Sequence, residues 1–203
     1  MEVKRKAGDY EITQALFIGS KEIVLGENLA DTDGNPYMCA FCESNDFIER
    51  YFDIYAGSNY AEIVAEYGKR VKEQAEKTRS ELDEERVSSE GDQILREDNC
   101  TPVSYDDDLN NKVVVIKADI LRPEYRSARY QLRLCTGGFG ASPHSRGSAC
   151  YCKDLLTGRE SRFERRDILG VIERDKLPDW AKDGLERFKQ AEKKLASRGK
   201  EDR

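Results

Sequence analysis

The chain has 203 residues, room for one domain of ordinary size or two small ones. It is 38% hydrophobic and 36% charged. Typical globular values are roughly 45–50% and about 25%, so part of the chain is expected as solvated helix or linker around a smaller core. No apolar run approaches the ~18 residues of a membrane span. The start, Met1-Glu2-Val3-Lys4-Arg5-Lys6, lacks the apolar stretch of a secretory signal, so a secreted protein is not expected.

The net charge of −6 is unevenly spread. Residues 1–110 carry 12 Lys+Arg against 26 Asp+Glu, and residues 111–203 carry 22 against 14. Such a split predicts two functional surfaces or two mutually attractive halves.

In chain order, residues 10–18 are rich in strand formers. Gly19-Ser20 reads as a hairpin turn, and Ile23-Val24-Leu25 returns. After the turn-forming run 31–36, residues 37–42 read as a third, central strand. Residues 46–56 carry Phe47, Ile48, Tyr51, Phe52 and Tyr55 at spacings of three and four, which predicts a helix stopped by Gly57. Asn59 is placed to cap a longer helix, with Glu62 in the capping-box position. Its expected stripe is Tyr60, Ile63, Val64, Tyr67, Val71, Ala75, Thr78 and Leu82. Residues 88–110 lack periodicity, are strongly acidic, and read as a linker.

The second half restarts as β. Residues 112–117 form a clear strand, and residues 128–135 alternate. A glycine-rich loop covers 136–147. Short strands are expected over 148–153, 160–165 and 168–172, with a closing helix from Asp179 to Ser197 anchored by Trp180. The resulting expectation is an α+β protein. Residues 1–87 form a small antiparallel sheet with a long amphipathic helix, and 88–110 an acidic linker. Residues 111–203 form a basic, small bent sheet or barrel-like domain closed by a helix.

Four groups of residues invite a chemical reading. Cys39, Cys42, Cys150 and Cys152 are enough thiolates for one zinc ion clasping the halves, or else are buried reduced thiols. Gly137-Gly138-Phe139-Gly140 lacks the Lys-Ser/Thr of a phosphate-binding loop, but Phe139, His144 and Arg146 make it a candidate recognition loop. Arg159, Arg162, Arg165 and Arg166 form a basic cluster suited to phosphate or carboxylate. The acidic run from Glu73 to Asp108 is either a solvated face or an imitation of a phosphate backbone. No Gly-x-Ser-x-Gly elbow or His-Glu-x-x-His motif occurs, and one histidine leaves little for histidine catalysis, so a non-enzymatic protein is expected.

The ordered string Cys135-Thr136-Gly137-Gly138-Phe139-Gly140, Arg146-Gly147, Tyr151-Cys152, Gly158-Arg159-Glu160-Ser161-Arg162, Arg165-Arg166-Asp167-Ile168-Leu169-Gly170-Val171 and Leu177-Pro178-Asp179-Trp180-Ala181 resembles a family of small accessory proteins. That family is uncharacterised and belongs to phages and conjugative elements of gut Firmicutes. Pro36-Tyr37-Met38, Cys42 and the helix around Tyr60 extend the resemblance across most of the chain outside the linker. The resemblance implies a cytoplasmic protein of a bacterial host, expressed from a mobile element. Such elements encode blockers of host defence. The expected function is therefore stoichiometric inhibition of a Cas9-type CRISPR effector, bound through its protein or its nucleic acid. The alternatives are a DNA- or RNA-binding accessory protein of conjugation or replication, and a zinc- or thiol-dependent enzyme.

Overall fold

The computed structural model describes residues 5–44 and 48–201, with side chains of the last helix as far as 191. The chain divides into two compact units, Met1–Glu85 and Arg86–Arg203.

The first unit is an antiparallel meander in the order β1-β2-β3-β4-β5: β1 (Lys6–Ala7), β2 (Tyr10–Ile18), β3 (Lys21–Glu27), β4 (Tyr37–Ser44) and β5 (Glu49–Gly57). Helix α1 (Tyr60–Glu84) packs on one face, where Leu25, Cys39 and Ile63 are buried together. On the other face Val24, Met38, Ala40 and Cys42 are buried beneath Tyr10, Ile12 and Tyr51. Asn59 caps α1 as expected, its side chain accepting from Ala61 N at 3.1 Å. Of the expected stripe, Ile63 and Thr78 are buried and Tyr67, Val71 and Leu82 half-buried, but Arg70 and Gln74 are buried with them while Tyr60, Val64 and Ala75 stay exposed. The polar members are satisfied: Gln74 Nε2 donates to Ile18 O at 3.2 Å, and Arg70 Nη1 donates to Asp53 O.

The segment expected as a helix over 46–56 is strand β5 where it is described. Asp46 and Phe47 lie outside the described residues. Tyr51 pairs with Cys42, Phe52 with Phe41 and Tyr55 with Cys39. Between Phe52 and Tyr55 the chain takes one residue more than its partner, and Asp53 there has φ +53°. This bulge gives Phe52 and Tyr55 partners two apart on β4, so they share a face although three apart in sequence. A bulged strand thus carries the aromatic spacing of a helix.

The second unit holds a six-stranded sheet in the order β10-β9-β8-β7-β11-β6. Its strands are β6 (Thr101–Pro102), β7 (Val113–Ile116), β8 (Leu132–Gly137), β9 (Ala149–Asp154), β10 (Glu160–Glu164) and β11 (Ile168–Ile172). Every pairing is antiparallel, and β10 and β6 are not paired with each other among the described residues. All four residues of β7 are buried, as suits a central strand with both faces covered. Helix α3 (Asp179–Glu201) covers one face through Ala181 and Leu185, over Val113, Val115, Leu132 and Ile172. Trp180 is half-buried beside them, and the side chain of Leu195 lies outside the described residues.

Two expectations for this unit change. Residues 128–131 form a single helical turn, α2 (Ala128–Gln131), before β8 begins. Residues 88–110, read as a linker, are folded onto the second unit. Ala128 N donates to Gln93 O at 2.6 Å, and Gln131 exchanges hydrogen bonds with both backbone groups of Leu95. β6 pairs with β11, and Leu109 is fully buried. The anchors Leu95, Val103 and Leu109 are too sparse to produce a period, while the acids between them face water. Divided at the folded boundary, residues 1–85 carry 10 Lys+Arg and 19 Asp+Glu, and residues 86–203 carry 24 and 21. The basic excess of the second unit is therefore small and local.

Candidate partner-binding surface

The glycine-rich loop leaves β8 with Gly138 at φ +106° and Gly140 pressed against the returning chain. A Cβ on Gly138 would sit 2.3 Å from Ala149 O, and one on Gly140 would sit 2.0 Å from Ser148 O. Glycine is needed at both places by close approach to backbone. The loop is then tied to residues 104–109. Leu109 N donates to Ala141 O at 2.8 Å, His144 N to Tyr105 O at 3.2 Å, and the Tyr105 hydroxyl to Ser145 O at 3.3 Å. His144 Nδ1 lies 3.1 Å from Asp106 Oδ1, and its ring meets Tyr105 edge to face.

Arg165 closes the assembly. Its guanidinium donates to the carbonyls of Gly140, Ser104 (2.6 Å) and Asp107 (2.7 Å). Expected as a ligand-binding arginine, it acts as a staple holding two loops together, because three converging carbonyls take three of its five donors. The aspartates nearby also serve the loop. Asp107 accepts from Ser104 N and Asp108 from Asn110 N, and these backbone hydrogen bonds hold both carboxyls below the usual range.

Around the stapled loops lies a recess of about 820 Å³, lined among others by Tyr105, Lys117, Arg146, Arg165 and Arg166. Arg146 and Arg166 are exposed. Phe139 is 78% exposed, and its Cβ lies beside Gly147, which lines the recess. Tyr105 and Tyr151 are exposed as well. Of the expected basic cluster, Arg165 and Arg166 line this recess, Arg165 as the staple and Arg166 exposed. Arg162 is turned to Glu164, with which it forms an ion pair. Arg159 sits beyond the other end of β10, a strand of five residues and hence roughly 13 Å long. Among the cationic residues at the recess, sequence reasoning passed over Lys117, which follows β7 and carried no motif.

The cysteines arrange differently from the four-thiolate reading. Cys39 packs on the α1 side of β4 and Cys42 on the other side, so the pair does not converge. Burial pushes both thiols up. Cys150 and Cys152 do share a face, and their companion is Cys135, which stands opposite Cys152 across the β8–β9 ladder. The thiols of Cys150 and Cys152 hydrogen-bond to Cys135, which lowers its pKa and raises theirs. No group of three or more His, Cys, Asp or Glu with the arrangement to hold a metal ion occurs among the described residues. No described helix is long and apolar enough to cross a membrane.

Comparison with protein-family models, with curated proteins and with solved structures found no match. The functional reading therefore rests on the surface itself and on the motif string.

Proposed function

We propose that this is a non-catalytic binding protein of a mobile element, whose second unit captures a nucleic-acid-bearing partner at the stapled-loop recess. The observation that carries the reading is Phe139, a large aromatic left 78% exposed on a loop that glycines and Arg165 hold in place. Exposing a phenyl ring on an ordered element forgoes burial of roughly 2 kcal/mol or more, which a binding partner recovers. Lys117, Arg146 and Arg166 line the recess, and Gly147 of the same recess lies beside Phe139, which brings an aromatic ring and cations into one region, a combination suited to stacking a base and holding its phosphate. The partner is assigned to host defence, as a Cas9-type effector inhibited by stoichiometric binding, on the resemblance of the motif string alone.

The test is capture of a purified Cas9-type ribonucleoprotein by the tagged full chain, with and without nuclease. A 1:1 complex that survives nuclease and is lost in the Phe139→Ala, Arg166→Glu double variant supports inhibition by direct contact. Capture that the double variant leaves intact removes the recess from the mechanism. If the effector is not bound, but single-stranded oligonucleotide is, the accessory-protein reading replaces it. Arg146→Glu should then reduce the salt slope of binding by about one unit.

A further inference from the structure

A second cavity lies in the same unit, on the α3 face of the sheet, and shares no lining residue with the recess. It measures about 560 Å³ and opens between α3 and strands β6, β7, β8 and β11. Its origin is visible in the packing. Gly184 brings α3 against Leu155, where a Cβ would meet the carbonyl at 2.1 Å, and Phe188 rests near Gly158. The helix is thus drawn toward the β9–β10 side and leaves a wedge over the opposite half of the sheet. Leu134, Val113 and Ile172 stand opposite one another across β8, β7 and β11 and form the floor. Leu185 and Phe188, one turn apart on α3, form the apolar wall.

The rim is charged in a particular way. Asp107, Glu173 and Arg174 line it but are engaged: Asp107 by Ser104 N, Glu173 by Lys176, and Arg174 by Glu186. Lys112 and Lys189 also line it; no ion pair engages either among the described residues, and the Lys112 charge helps hold the Asp107 and Asp108 carboxyls low. We propose that this cleft binds a small amphipathic anion, its apolar body on Val113, Leu134, Ile172, Leu185 and Phe188 and its acidic group between Lys112 and Lys189. The volume lies within the roughly 300–1,000 Å³ of small-molecule sites, and an apolar lining with a few placed cations is their usual chemistry. A single anionic group suits the rim, because the two engaged carboxylates would repel a second.

The experiment uses the full chain and 8-anilino-1-naphthalenesulfonate, with the neutral N-phenyl-1-naphthylamine as its charge-free counterpart. The expected result is one saturable site for the sulfonate, with methyl NMR shifts confined to Val113, Leu134, Ile172 and Leu185. The Lys112→Glu, Lys189→Glu double variant should weaken the sulfonate about tenfold and leave the neutral probe within about twofold. Leu134→Trp should abolish both by filling the floor. Because that variant alters a half-buried position, the methyl shifts of the unaltered protein decide the location independently. Shifts elsewhere, or a sulfonate affinity that charge reversal leaves unchanged, would overturn the proposal without touching the Phe139 recess.

Discussion

The two units solve the same problem, covering an antiparallel sheet with one helix, by opposite means. In the first, each strand pairs with its neighbours in sequence, and α1 follows directly. In the second, β11 inserts between β7 and β6, so the last strand made completes a sheet begun some 70 residues earlier, on the order of a small domain's length. The long-range closures of the second unit are held by buried polar groups. Gln131, fully buried, bonds both Leu95 and Ile116. Asp154, 7% exposed, receives Arg129 and Arg133 together with the amides of Leu156 and Thr157. In the first unit the buried polar side chains Arg70, Gln74 and Thr78 lie on the helix, where Arg70 bonds the bulge carbonyl of Asp53 within β5 and Gln74 the last residue of β2. The lesson is that non-local topology needs specific polar ties, whereas a meander is held largely by its alternation.

That contrast breaks most sharply at Asp154. Asp154→Ala leaves two arginines buried without their carboxylate and should cost about 3–5 kcal/mol. Trp180 is the chain's only tryptophan and lies in the second unit, so its fluorescence follows that unit alone. The urea midpoint read from Trp180 should fall sharply, while that of Arg70→Ala, in the other unit, should not move. Equal effects on the Trp180 signal would mean that the units unfold as one.

Acid sharpens the same comparison. Burial pushes the Asp154 carboxyl up, but the charge of Arg133 and the hydrogen bond from Arg129 outweigh it and hold its pKa at about 2. The ordinary aspartate value is near 3.9. A depressed folded pKa stabilises fully above the unfolded value, and that stability is lost as pH falls through the folded one. The Trp180-reported unit should therefore lose on the order of 2 kcal/mol between about pH 4 and pH 2. In the first unit the carboxyls held low are Glu49, by the Tyr51 hydroxyl, and Glu66, by Arg70, both near the surface. Its acid response should be shallower. A Trp180 unfolding free energy that is flat from pH 4 to pH 2 would show that the Asp154 pair is not coupled to folding.

What the sequence makes legible follows the same division. The hairpin at Gly19-Ser20, the capped α1 and the all-buried β7 carry local signals of period, turn and cap, and each appears where expected. β5 was not legible, because the bulge at Asp53 gives a strand helical spacing. Residues 88–110 were not, because sparse anchors and backbone hydrogen bonds leave no period. At the recess, the glycine loop announced Phe139, His144 and Arg146 by composition. Nothing local distinguishes Arg165, spent on three carbonyls, from Arg166, left exposed. Cys135 joins Cys150 and Cys152 only through the β8–β9 register, and the α3 cleft is assembled from separate strands that no motif links.

The smallest effect tests the claim that the first unit is held by local order. Asn59 caps α1, its side chain accepting from Ala61 N, and Glu62 adds an acid to the first turn. Replacing Asn59 by Ala orphans an N–H at the helix start and should cost about 1 kcal/mol. Asn59→Gly should cost only a few tenths, since glycine serves tolerably as a cap. Because the cap belongs to the first unit, the loss should appear in the helical circular-dichroism transition and be absent from Trp180 fluorescence. The order wild type, Gly, Ala in that transition would place the stability of α1 partly in its cap. If Ala and wild type coincide, α1 is held by the packing of Ile63, Arg70, Gln74 and Thr78 alone, and the first unit depends on tertiary ties as much as the second.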